Sequence, residues 1–274
     1  LTYSEVKKIT GYIGNFEVII EKKPRFIFED KCVGCFEVCR EVCPIDVEDT
    51  FFPRKAIDVS YPQAIPLIPN ILEEYCIGCK ACEQACGERE AINFSQTKEI
   101  KNFKVGAIIV ATGFKTFDPS ILGEYNYRRY SDVITGLEME RMLNTDGPTK
   151  GKILKTSDSS VPKSISFILC VGSRNKKLNH DYCSQVCCNY SIKQAILAKT
   201  QIKDLDITIY YTDIRAVGKF CEEFFNRSRE EFQIRFIKSN ISTIIKSDTS
   251  HKLLIRGENI FTNQLFENAT DLAI

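Results

Sequence analysis

Thirteen of the 274 residues are cysteine, and eight of these stand in two tight runs. The first run is Cys32, Cys35, Cys39 and Cys43, followed directly by Pro44, and the second is Cys76, Cys79, Cys82 and Cys86. An odd number of thiols cannot be fully paired within one chain, and the count is too low for a small disulfide scaffold. The pattern instead reads as thiolate ligands kept in a reducing compartment, the cytoplasm. C-x2-C pairs also serve structural zinc. Eight cysteines in two four-member runs, the first ending Cys-Pro, point rather to two [4Fe–4S] clusters.

The second run has the ligand spacing of one half of a bacterial-type ferredoxin. In such folds each run gives three ligands to one cluster and its fourth to the other. The expectation is therefore Cys32, Cys35, Cys39 and Cys86 around one cluster, and Cys76, Cys79, Cys82 and Cys43 around the other. Gly34 and Gly78 sit inside the C-x2-C loops, where the backbone must bend tightly. Two departures stand out. One extra residue separates Cys35 from Cys39, and Gly87 occupies the place that Pro44 has after the first run.

A third group comprises Cys170, Cys183, Cys187 and Cys188. Cys170 ends an apolar stretch and the other three fall where a helix should begin, the junction that in a dinucleotide domain carries the glycine-rich phosphate loop. A helix N-terminus favours thiolate over thiol. On the residues alone three readings compete: an irregular third cluster, a redox-active dithiol, or buried inert thiols. Cys221, beside Phe220 and Phe224, reads as a small core residue.

Several elements must position these groups. Val6–Thr10 and Phe16–Ile20 are strand-like, joined by a turn with Gly11, Gly14 and Asn15, and such a hairpin needs a further partner to be stable. Residues 28–95 have little hydrophobic periodicity and are broken by prolines at 44, 53, 62, 66 and 69, so bound metal is their expected source of stability. Val105–Val110 is apolar and β-branched, the pattern of a parallel strand buried on both faces, with Gly113 ending it. Thr135-x-x-Glu138 is a capping-box pattern opening a helix to about Leu143. From Ser164 the order is strand (Ile165–Val171), helix (Ser184–Thr200), strand (Asp206–Asp213), helix (Gly218–Glu231) and strand (Gln233–Lys238). That order implies a parallel sheet of dinucleotide-binding type. A hairpin over Ile241–Ile245 and Lys252–Ile255 follows, and another buried strand is expected near Asp271-Leu272. Lys and Arg total 37 against 36 Asp and Glu, a formal charge of +1 that argues against a nucleic-acid binder. No apolar run is long enough to span a membrane.

The motifs carry a resemblance. Cys170-Val171-Gly172-Ser173-Arg174, Asp181-Tyr182-Cys183-Ser184-x2-Cys187-Cys188, Lys193-Gln194-Ala195 and Asp213-Ile214-Arg215-Ala216 are similar to the A subunits of heterodisulfide reductases. So are Gly11-Tyr12-Ile13-Gly14-Asn15-Phe16 and Tyr61-Pro62-Gln63-Ala64-Ile65-Pro66-Leu67. The resemblance covers roughly Tyr3 to Asn240. It implies an α/β fold: a thioredoxin-reductase-like dinucleotide-binding scaffold with an inserted α+β two-cluster ferredoxin domain. Residues 1–27 would be the tail of an FAD domain and 28–95 the insert. Residues 96–160 would return to the FAD domain and a linker, and 161–274 would form an NAD-domain-like region. It further implies FAD near Ala111-Thr112-Gly113, although that tripeptide alone also fits a strand ending in a glycine turn. A third cluster is implied at Cys170, Cys183, Cys187 and Cys188. Lys193 is either a solvated surface lysine or, in the family reading, a cation stabilising reduced flavin.

The implied function is electron transfer in a methanogenesis-related, heterodisulfide reductase-like complex. Electrons would pass between a ferredoxin- or hydrogenase-type donor, the clusters and FAD, with flavin-based bifurcation and with disulfide reduction carried out by a partner chain. The alternatives are a non-catalytic iron–sulfur wiring module and a related flavoprotein of quinone or sulfur metabolism. No G-x-G-x-x-G occurs, so the expectation is an internal slice or one part of a split subunit.

Overall fold

A computed structural model describes residues 1–47, 54–61 and 63–274; the expected breaks at Pro53 and Pro62 lie outside them. The chain divides into two compact units, Leu1–Phe114 and Lys115–Ile274.

In the first unit, β1 (Ser4–Tyr12) and β2 (Asn15–Lys22) form the expected antiparallel hairpin, with a bulge between Val6 and Lys8. Gly11 is at φ +102°, and a Cβ there would meet the Asn15 carbonyl oxygen at 2.1 Å, so only glycine fits this turn. The cysteine-rich segment that follows has little regular structure. It contains α1 (Phe36–Glu41), β3 (Asp46–Val47), β4 (Arg54–Lys55), β5 (Ile57–Asp58), β6 (Asn70–Ile71) and α2 (Ala81–Cys86). Strands β3 and β4 pair with each other, as do β5 and β6. The two ends of the segment are clasped by the Ile27–Ile92 bridge and by N–H bonds from Phe28 to Ala91 and from Asn93 to Phe26. Its small core of Phe26, Ile27, Ile57, Ile68, Ile71, Ala91 and Ile92 includes the buried Cys39 and Cys82.

Strand β7 (Glu99–Val105) then pairs antiparallel with β2 and supplies the partner the hairpin needs. Here the expectation of a doubly buried parallel strand over Val105–Val110 is overturned. The strand ends at Val105, and Ile109 and Val110 are 93% and 80% exposed. The reason is hydrogen bonding. Strand β2 is used up once Phe16 pairs with Val105, Gly106 accepts only the Gly14 N–H, and no other described strand pairs with residues 107–112. An apolar run favours burial, but a strand also needs an edge to pair with.

The second unit opens with α3 (Gly136–Leu143), capped as expected. The Glu138 N–H donates to the Thr135 hydroxyl at 3.2 Å, and the Thr135 N–H donates to the Glu138 carboxylate at 2.6 Å. It continues with β8 (Ser164–Ile168), α4 (Cys187–Gln201), β9 (Asp206–Tyr211), α5 (Cys221–Glu230), β10 (Arg235–Lys246), β11 (Leu253–Asn259), β12 (Gln264–Thr270) and β13 (Leu272–Ala273). The six strands lie in the order β12-β11-β10-β9-β8-β13. Pairings β10–β9, β9–β8 and β8–β13 are parallel, and β10–β11 and β11–β12 are antiparallel. The β8-α4-β9-α5-β10 order and the buried strand at Leu272 match the expectation, and the fold is mixed α/β.

Two details differ. The expected break between Lys238 and Ile241 is absent, because the Ser239-Asn240 pair continues β10, with Ser239 buried. One strand thus serves the parallel sheet with its first half and the hairpin with its second. Helix α4 starts at Cys187 rather than Ser184, because Gln185 takes φ +59°. Among the described residues, no helix is long and apolar enough to cross a membrane.

Candidate metal centres

The two cysteine runs fold as local repeats. The N–H of Cys32 bonds the Phe28 carbonyl at 3.1 Å, and that of Cys76 bonds the Leu72 carbonyl at 3.0 Å. Gly34 and Gly78 occupy the same place in each loop at φ +80° and +70°, the left-handed region that glycine enters without penalty. Short helices then carry Cys39 on α1, and Cys82 and Cys86 on α2.

The runs then cross. One open-mouthed cavity, about 300 Å³ of empty space with its mouth included, is lined by Cys32, Cys35, Cys39 and Cys86. A second, of about 340 Å³, is lined by Cys43, Cys76, Cys79 and Cys82. Each holds three thiols from one run and one from the other, the grouping expected from spacing. The thiol charges respond accordingly. Burial, followed by the Cys86 and Cys35 charges, pushes Cys39 up to about 12. Burial outweighs an N–H bond from Glu83 and pushes Cys82 up to about 11, with the Cys76 and Cys43 charges adding to it.

Bare thiolates in these cavities are therefore unfavourable, and a polycation that takes four thiolates would relieve the repulsion. The rest of each lining is largely apolar, including Ile27, Phe36 and Ile92 in the first and Ile57, Ile71 and Phe94 in the second. N–H donors reach the sulfurs at Cys86 (from Ala91, 3.4 Å) and Cys32 (from Gly34). Among the described residues, no three His, Cys, Asp or Glu side chains close on a point as ligands of a single ion. Four thiols around an apolar, N–H-lined space form a ligand set of the kind used by iron–sulfur clusters and by structural zinc.

The departure at Gly87 has a structural cause. This residue ends α2 at φ +59°, a conformation proline cannot adopt. It opens a 3-10 turn, Gly87–Arg89, that carries Arg89 back to the first cavity, with its guanidinium Nη1 3.8 Å from Cys35 Sγ. Sequence reading missed Arg89.

In the second unit, Cys170, Cys183, Cys187 and Cys188 come together at the β8–α4 junction. Burial and then the charge of Cys187 raise the Cys170 thiol, and Cys183 also acts on it. Cys187 and Cys188 are both buried, 8% and 3% exposed. The neighbouring Cys188 side chain, the Ser184 hydroxyl and N–H groups of Cys170 and Cys188 hold Cys187 toward thiolate against the cost of burial, and the Cys188 S–H points to the Asp213 carbonyl at 3.9 Å. Further N–H donors are Gln185 to Cys183 and Arg215 to Cys188, both at 3.4 Å. Cys183 stands before the helix, which begins at Cys187, rather than at its start as expected. It reaches the group from the loop instead.

Cys221 caps no core. It is half-buried at the start of α5 and takes a 3.7 Å contact from the Asn189 side-chain amide. Lys193 is exposed, and its ammonium is 2.6 Å from the Glu140 carboxylate. Ala111, Thr112 and Gly113 are exposed and outside any strand.

No family model matches the chain. Curated proteins do, over its full length. The A subunit of the H(2):CoB-CoM heterodisulfide,ferredoxin reductase of Methanothermobacter thermautotrophicus is 46% identical over 278 residues, covering 100% of this chain and 42% of that protein. Along its whole length the chain is homologous to heterodisulfide reductase A subunits. The iron-sulfur A subunit of the CoB--CoM heterodisulfide reductase of Methanocaldococcus jannaschii is 42% identical over 278 residues, with the same coverage. The A subunit of the Ferredoxin/F(420)H(2)-dependent CoB-CoM heterodisulfide reductase of Methanosarcina acetivorans is 40% identical over 277 residues, covering 100% of this chain and 35% of that protein. The chain thus spans about two-fifths of the length of the A subunits it matches. A solved thioredoxin reductase from Lactococcus lactis overlaps 80% of this chain and 62% of its own at TM-score 0.36 and 16% identity. That overlap is too loose to bear on the fold or the chemistry.

Proposed function

We propose that the chain is an electron-transfer segment of an oxidoreductase of the heterodisulfide reductase type, lying within its A subunit. The observation that carries this reading is the crossing of the two cysteine runs into two four-thiol cavities. Cys32, Cys35, Cys39 and Cys86 would hold one [4Fe–4S] cluster, and Cys43, Cys76, Cys79 and Cys82 a second. Cys170, Cys183, Cys187 and Cys188 would hold a third. Such clusters supply one-electron transfer. The apolar residues of the linings lower the local polarity around the thiols, the N–H groups and Arg89 stabilise charge on sulfur, and Gly34 and Gly78 supply the tight turns of the loops.

The names of the relatives support partners of matching kind: the other chains of a heterodisulfide reductase complex and a ferredoxin- or hydrogenase-type donor. FAD and electron bifurcation belong to the same proposal. Ala111, Thr112 and Gly113 are exposed here and Lys193 is paired with Glu140, so a flavin beside these four residues rests on the resemblance alone, and Lys193 is a candidate rather than an assigned catalytic group.

The test is anaerobic reconstitution with metal analysis and EPR. The proposal expects about twelve iron and twelve sulfide per chain. Zinc in place of iron would overturn it. Variant Cys170→Ser should retain about two-thirds of the iron if the third site is a cluster, and all of it if that group is a dithiol.

A further inference from the structure

The two cavities of the first unit are alike in thiols and unlike in charge. Each is lined by one cation, Arg89 in the first and Lys80 in the second. The Lys80 ammonium lies 3.8 Å from the Glu83 carboxylate one helical turn on, which cancels much of its field. Among the described residues, Arg89 makes no such ion pair, even with Glu88 or Glu90 beside it in sequence. Its Nη1 instead faces Cys35 Sγ at 3.8 Å.

The difference follows from one residue of backbone. After Cys43 the chain continues through Pro44, whereas after Cys86 Gly87 takes φ +59° and the 3-10 turn brings Arg89 back over the cavity.

We propose that Arg89 sets the reduction potential of the Cys32–Cys35–Cys39–Cys86 site, raising it and so biasing an electron shared by the two sites toward the first. This rests on the cluster reading given above. Reduction adds one electron from the neighbouring cluster, forms and breaks no bond, and makes the site one unit more negative. A guanidinium hydrogen-bonded to a ligand sulfur stabilises the more negative state. Arg89 is exposed, so water and salt weaken its field.

The experiment is an EPR-monitored redox titration of the reconstituted full chain, comparing wild type with Arg89→Gln and Arg89→Lys. The site is assigned as the one whose signal Cys32→Ser abolishes. Arg89→Gln should lower that site's midpoint and move its neighbour's less, shifting electron sharing toward the second site by roughly twofold to fivefold. Arg89→Lys should recover part of the shift, and iron and sulfide content should stay at the wild-type level in both. An unchanged midpoint, or an equal fall at both sites, overturns the inference while leaving the clusters in place. A wild-type chain that takes up no iron overturns the cluster reading and this inference with it.

Discussion

Cys39 and Cys82 show how little these cavities tolerate naked charge. With the Cys39 thiol pushed up to about 12 and Cys82 to about 11, from an ordinary 9.0, the metal-free fold keeps protons that the unfolded chain gives up above about pH 9. The folded state then binds more protons than the unfolded one, and stability falls as pH rises. The urea midpoint of the metal-free chain should hold up to about pH 9 and decline toward pH 12, and a midpoint flat across that range would contradict the burial argument.

Glycines provide a second test at this scale. A Cβ on Gly172, at φ +72°, would lie 2.2 Å from the Phe117 ring, whereas one on Gly78, at φ +70°, would meet nothing within 4 Å. Gly172→Ala should therefore cost roughly 2–4 kcal/mol, from ring displacement and backbone strain together, and Gly78→Ala about 1 kcal/mol. Equal losses in denaturant titrations would sink the distinction. The Gly34 and Gly78 turns were legible in the sequence because C-x-G-C loops need positive φ. Arg89 was not, because spacing says nothing about a residue 54 positions from its sulfur.

At the level of elements, Asp271 ties β13 to the sheet. Its carboxylate accepts the N–H groups of Lys163 and Ser164 at 2.8 and 3.0 Å and the Ser164 hydroxyl at 3.1 Å, with Lys252 Nζ 3.2 Å away. Burial works against ionisation, but these partners win and hold the carboxyl below its usual range. A depressed carboxyl contributes stability above its unfolded value, near 3.8, that is lost as pH falls through the lower folded one. Asp271→Asn should cost about 1–3 kcal/mol at neutral pH and flatten the acid side of the stability profile below about pH 4. An unaltered profile would show that Asp271 is not the anchor. The alternating strands and helices from Ser164 onward were readable because periodicity reports burial. The strand over Val105–Val110 was misread because periodicity reports nothing about hydrogen-bonding partners. The Ser239-Asn240 pair, turn-like in composition, is carried through as strand because β9 and β11 flank β10.

Across the whole molecule, a near-neutral chain becomes acidic once its thiols are used. The formal charge is +1, and each oxidised [4Fe–4S] centre with its four thiolates carries about −2, so three would bring the loaded chain to about −5. Native isoelectric focusing should place the loaded chain well acidic of the metal-free one; coincident bands would contradict three clusters. The central claim is the crossing of the cysteine runs, and it is tested most directly by EPR of reduced, reconstituted Cys86→Ser beside Cys32→Ser and Cys76→Ser. Cys86 belongs to the second run in sequence and to the first cavity in space. The account predicts that Cys86→Ser and Cys32→Ser lose the same signal and keep the same remaining one. If Cys86→Ser instead matches Cys76→Ser, each run holds its own cluster and the account is wrong.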